Sequence, residues 1–210
     1  MSCSTPWSRR SNPEQRAARG QSYLRALRAV AACLALGGVV ALAGTAPPAA
    51  PRWLAQRLPD CHLAGRGSFR WWGIRIYSAS LWVGAQGLDP ARLDARPFAL
   101  QLHYAHALSG ATIAEASARL IARLDLGSKA QRAQWLQDMR RIFPDVRAGQ
   151  RLAGVYRLHP ERTVFFLDGK AIGQVAGAAF ARAFFAIWLS PRSSLPALQR
   201  ALTAGLGKTA

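Results

Sequence analysis

The chain has 210 residues, half of them hydrophobic, and carries 28 lysines and arginines against 10 acids, for a formal charge of +18. So apolar a composition excludes a disordered polyelectrolyte. No run of bases exceeds a pair and no zinc or helix-turn-helix pattern occurs, so nucleic acid is not an expected partner.

The charge divides along the chain. Residues 1–28 hold six arginines against Glu14, leaving +13 for the remainder, where Lys129, Lys170 and Lys208 are the only lysines. Ala29 to Ala46 is uncharged and apolar, and Ala41-Leu42-Ala43 fits a small-residue cleavage site ahead of Pro47-Pro48. Two readings stay open: a cleaved signal peptide, or an uncleaved anchor with its basic tail inside the cell. Both place the following domain in an exported compartment, periplasmic or held at the inner membrane facing the periplasm. The net positive charge adds a membrane surface as a partner class. Cys3 and Cys33 fall before or within this segment, so Cys61 has no disulfide partner in the domain.

Residues 47–59 read as a linker and 60–205 as one domain. Residues 62–83 predict two strands with a turn at Trp72-Gly73, and Phe98–Ala105 a third. Thr112-x-x-Glu115 reads as a capping box opening a helix whose apolar face holds Ile113, Leu120, Ile121 and Leu124. Gly127 stops it. A second helix runs from Lys129 to Phe143, closed by Pro144. Strands follow at 151–158, 163–167 and 171–175, the last two joined by the hairpin signal Asp168-Gly169. Phe180, Ala183, Phe184, Ile187 and Trp188 form the stripe of a third helix, and a last helix spans about 193–202. This order predicts an α+β fold, an antiparallel sheet with helices packed on one face.

No metal-ligand spacing, phosphate loop, nucleophile elbow or carboxylate pair is present, so neither metal nor cofactor is expected. What stands out is Gly65–Trp82, an aromatic-rich strand pair holding Arg66, Arg70 and Arg75. Arg66, Ser68, Arg70 and Trp72 share one strand face if no bulge intervenes. Alternation does not decide which face meets the helices. A guanidinium among aromatics suits one carboxylate on a hydrophobic ligand; the bland reading is an arginine projecting into solvent over tryptophan.

The ordered motifs resemble the bacterial chalcone isomerase-like family. They are Gly65-x-Gly67-x-Phe69-Arg70-Trp71-x-Gly73, Ile76-Tyr77-x-Ala79-x-Leu81-Trp82, Tyr104-Ala105-x-x-Leu108-Ser109-Gly110, Ile142-Phe143-Pro144-Asp145-Val146-Arg147-x-Gly149 and Phe180-x-Arg182-Ala183-Phe184-Phe185-x-Ile187-Trp188. The resemblance implies the chalcone isomerase-like open-faced sandwich, with a ligand cleft between sheet and helices. It also places the catalytic arginine of true isomerases at Arg66 or Arg70 and the strand threonine at Ser78. The helix tyrosine falls at Ile113, the asparagine at Leu120 and the late threonine near Ile187. Aliphatic side chains at three of these positions cannot polarise a ketone, so no isomerase activity is expected. Fatty-acid-binding branches of the fold hold a carboxylate with an arginine and a tyrosine. By that resemblance the ligand site is Arg70 or Arg66 with Tyr77, Ser78 or Tyr104, walled by Ile113, Leu120 and Ile187. The expected function is an exported, non-catalytic domain binding a small amphipathic acid such as a fatty acid. The alternatives are an envelope interaction module without ligand, or an isomerase of unknown substrate.

Overall fold

A computed structural model describes residues 48–206, and the apolar segment 29–46 lies outside them. Six strands and five helices form among the described residues: α1 (Arg52–Ala55), β1 (His62–Trp71), β2 (Ile74–Val83), β3 (Phe98–Tyr104), α2 (Gly110–Arg123), α3 (Lys129–Ile142), β4 (Arg151–Leu158), β5 (Glu161–Leu167), β6 (Lys170–Ala176), α4 (Ala178–Leu189) and α5 (Pro196–Thr203). The strands make one antiparallel meander in sequence order, as the element order predicted. None of these helices is long and apolar enough to cross a membrane.

Local chemistry sets the element ends. Ser109, not Thr112, is the N-cap of α2; its hydroxyl accepts from the Thr112 amide at 3.1 Å. The helix therefore starts a turn earlier than the capping-box reading placed it. Ser128 and Gln131 form a full capping box on α3. Trp72 and Gly73 both have positive φ, 50° and 77°, as a two-residue hairpin turn requires.

Alternation in β2 and β3 points Tyr77, Ala79, Leu81, Leu100, Leu102 and Tyr104 into the main core with α2, α3, α4 and α5. Nine of the 12 residues of α4 are buried, which makes it the central helix of that layer. Its aromatic side chains seat on the sheet: Phe185 against Phe98 at 4.5 Å and Phe184 against Phe165 at 5.2 Å between ring centroids.

The other sheet face is not bare. Residues 47–59 were read as a linker, yet Leu54 and Leu58 are buried against Trp82, Ala99, Ala153, Val155 and Phe166. Trp53 packs on Phe166 at 5.1 Å, and the Arg57 guanidinium lies 4.8 Å over the same ring. This segment is a structural cover, because a strand face rich in Trp, Val and Phe needs shielding from water.

An apolar cavity closed by a tyrosine pair

Two backbone close approaches position the site. The first joins α2 to the loop before β4. A Cβ at position 110 would collide with the Phe143 carbonyl, so only glycine permits this approach. The Gly110 amide donates to Asp145 Oδ1 at 2.9 Å, and Leu108 bridges Val146. Two of the sequence motifs thus meet in space, and they bring Leu108, Ile113 and Phe143 together.

The second joins α5 to β1. Cβ atoms at Gly65 and Gly67 would strike the Leu202 carbonyl and the Leu198 side chain. These glycines therefore face the helices, and alternation turns Arg66 and Ser68 to the opposite face; a register shift between Phe69 and Arg70 intervenes before Arg70, so the shared face expected for it does not follow from alternation. Both arginines are solvent-exposed. The Arg70 guanidinium donates to the Gly73 carbonyl at 2.9 Å, inside its own turn.

Between the sheet and α2 and α4 lies a cavity of about 110 Å³. Tyr77, Leu102, Tyr104 and Leu152 form its floor, Ile113, Ala116, Ser117 and Leu120 one wall, and Phe184 and Trp188 the other. Leu108 and Thr112 edge its mouth, where Thr112 is exposed. A deeper space of about 20 Å³ beyond Leu102, Leu152, Phe184 and Trp188 reaches Leu100, Gly154 and Phe165. Those four side chains line both spaces of the slot between the sheet and the helices.

The polar groups of the wall are all neutral. Tyr77 and Tyr104 are paired across β2 and β3, with ring centroids 5.9 Å apart. Trp188 Nε1 donates to the Tyr77 hydroxyl at 2.9 Å. The Ser117 hydroxyl is spent on the Ile113 carbonyl at 2.9 Å, and Thr112 bonds Ser109 at 2.7 Å. The Tyr104 hydroxyl makes no hydrogen bond among the described residues, although the residue is buried.

Burial pushes the Tyr77 phenol up to about 12, with the Trp188 bond acting in the opposite sense. Burial, and then the neighbouring Tyr77, raise Tyr104 as well. Both phenols therefore stay protonated while unfolded tyrosine ionises near 10. Above pH ~10 the unfolded chain has lost protons that the native state keeps, so stability falls with pH. It is intact below about 10 and lost as pH rises through about 12. For Tyr77 the loss amounts to about 2–3 kcal/mol. Urea unfolding of wild type and Tyr77→Phe at pH ~9 and pH ~12 measures it; the variant is expected to show the smaller alkaline loss.

Of the residues expected at the site, Tyr77, Tyr104, Ile113 and Leu120 meet around this cavity. Arg66 and Arg70 do not; both are exposed on β1 and neither lines the cavity. Ser78 pairs with Ser68 and His103 and shares their outward face. Ile187 is buried on α4 but does not reach the cavity wall. The reading from sequence missed Trp188 as Tyr77's partner and Phe184 as a wall, since their helical stripe looked like core packing alone. Ser117, four residues after Ile113 on the same apolar face, was a legible signal of a polar group turned inward. Elsewhere, no set of three or more His, Cys, Asp and Glu side chains converges among the described residues. The half-buried Cys61 thiol is pushed up in pKa by burial, away from thiolate reactivity.

The six-stranded antiparallel sheet, its helical layer and the cavity between them define an open-faced sandwich with an internal apolar site. The family model described as chalcone isomerase-like matches residues 48–204, and the chain belongs to that family. It is 28% identical over 145 residues to an uncharacterized protein of Haemophilus influenzae, covering 69% of this chain and 67% of that protein. Its fold matches the crystal structure of an Arabidopsis thaliana fatty-acid binding protein with a TM-score of 0.55. That match has 11% identity and covers 70% of this chain and 87% of the other.

Proposed function

We propose that the domain is a non-catalytic binder of a small amphipathic molecule. Its apolar part fills the slot, and its carbonyl or carboxyl head accepts hydrogen bonds from Tyr104 and Tyr77. The carrying observation is Tyr104, a buried residue on the wall of an apolar cavity whose hydroxyl bonds no protein group among the described residues. A phenol facing such a cavity is free to donate to a ligand head group or to water. The fatty-acid binding protein of the same fold supports a carboxylic acid as the head group.

The wall supplies no cation, so a carboxylate would enter unpaired, at a cost of several kcal/mol. The acid is therefore bound protonated. The main cavity approaches in size the engineered cavity of about 150 Å³ that holds benzene, which favours a short chain. We place the domain outside the cytoplasm on the character of residues 29–46.

Calorimetric titration with linear carboxylic acids of increasing length tests this reading. Saturable binding is expected, tightening as pH falls through the ligand's own pKa. Tyr104→Phe should weaken it about ten-fold, while Arg66→Ala and Arg70→Ala leave it unchanged. Loss of binding on Arg70→Ala with none on Tyr104→Phe would overturn the assignment. A second variant probes the slot: Phe184→Leu, which shortens a side chain standing between the two spaces, should move the preferred chain length upward.

A further inference from the structure

We infer that the tip of the β1–β2 hairpin is a membrane-docking element, with Trp71, Trp72 and Ile74 entering the interface of an anionic bilayer and Arg70 and Arg75 meeting lipid phosphates. Among the described residues these three are the large hydrophobics left exposed, at 62%, 88% and 57%. Single exposed apolar side chains are ordinary; here all three surround one turn. Across the ribbon Trp71 is paired with Ile74 and Arg70 with Arg75, so an apolar step sits at the tip and a basic step behind it. Like charges at directly opposite positions repel, and among the described residues the Arg70 guanidinium donates only to the Gly73 carbonyl of its own turn. Neither arginine takes part in an ion pair among the described residues.

The tip is also poorly chosen for folding. Trp72 occupies the left-handed region at φ 50°, a turn position that favours Asn, Asp or Gly. A bulky aromatic there costs stability and returns no packing. Tryptophan at the headgroup level and arginine at anionic phosphates are the residue types a bilayer interface accepts. The basic character extends along the outward face through Arg66, His103 and Arg151, all exposed. The facing acid at that end of the sheet, Asp168, is engaged by Gln150 and the Arg151 amide.

Ile74 precedes Tyr77 by three residues, so the tip lies about 10 Å beyond the tyrosine pair. A docked protein holds the tyrosine end of its cavity toward the lipid. This loading role rests on the ligand-binding reading above; the docking itself does not.

The test uses the full chain with vesicles of phosphatidylcholine alone or mixed with phosphatidylglycerol, their acyl chains brominated to quench tryptophan. Wild type is compared with Trp71→Ser/Trp72→Asn, Arg70→Gln/Arg75→Gln and Tyr104→Phe. Residues 1–47 are common to all four proteins, so differences report the tip. Asn suits the left-handed position, and unchanged thermal unfolding confirms that the tryptophan variant folds. The expected result is quenching by the mixed vesicles that the tryptophan variant lacks, with affinity about five-fold weaker per arginine removed and docking by Tyr104→Phe unchanged. Equal quenching of wild type and the tryptophan variant overturns the docking. So does burial of the tip by a second copy, seen as a dimer that only the tryptophan substitutions dissociate. If docking persists while no protein binds acids, the loading role falls and the docking stands.

Discussion

Gly65→Ala is expected to cost more than about 3 kcal/mol, whereas Arg66→Ala, one position on, should change stability by less than about 0.5 kcal/mol. A methyl group at position 65 points into the carbonyls of Ala201 and Leu202 on α5. Backbone cannot rotate aside as the end of a side chain can, so α5 would have to lift from β1. That would expose Leu198 and Leu202, both buried against the main core, and strain the bond from the Gly205 amide to the Ala64 carbonyl at 2.9 Å. Arg66 points away from this contact, into solvent. Chemical denaturation of the two variants checks the contrast. Near-equal effects would mean that β1 presents its other face to the helices, and the arginines would return to the cavity.

A second large effect is expected on the opposite face of the sheet. Leu54→Ala should destabilise the domain by about 3 kcal/mol while leaving ligand affinity at the tyrosine pair unchanged. Leu54 is fully buried although its helix has only four residues. A helix that short has almost no stability of its own, so packing against Ala153, Val155 and Phe166 holds it in place. Removing three carbons leaves a void that a sheet face cannot collapse to fill. Equilibrium unfolding of the variant measures the cost; a change within about 0.5 kcal/mol would return residues 47–59 to the status of a linker.

Much of the fold was legible in the sequence because its signals are local. The strand pair 62–83 shows itself in alternating β-branched and aromatic residues, and Trp72-Gly73 and Asp168-Gly169 fall at the observed turns. The Phe180–Trp188 stripe marks α4, and Pro144 and Pro191 mark where helices stop. The start of α2 was misplaced because Ser109 and Thr112 both fit a cap, and the choice depends on Asp145, 35 residues away, holding the Gly110 amide. The site was half legible. Tyr77, Tyr104, Ile113 and Leu120 were named and do meet, whereas Arg66, Arg70, Ser78 and Ile187 stand elsewhere.

The sequence by itself determined the order of elements, the antiparallel α+β architecture and the family, since turn residues, apolar periods and ordered motifs are written along the chain. Only the tertiary structure decided which face of β1 meets the helices. A period of two is symmetric between faces; the symmetry is broken by the approach of the α5 backbone, which position 65 admits only as glycine. That single contact turns Arg66 out to solvent and leaves two protonated tyrosines as the polar end of an apolar cavity.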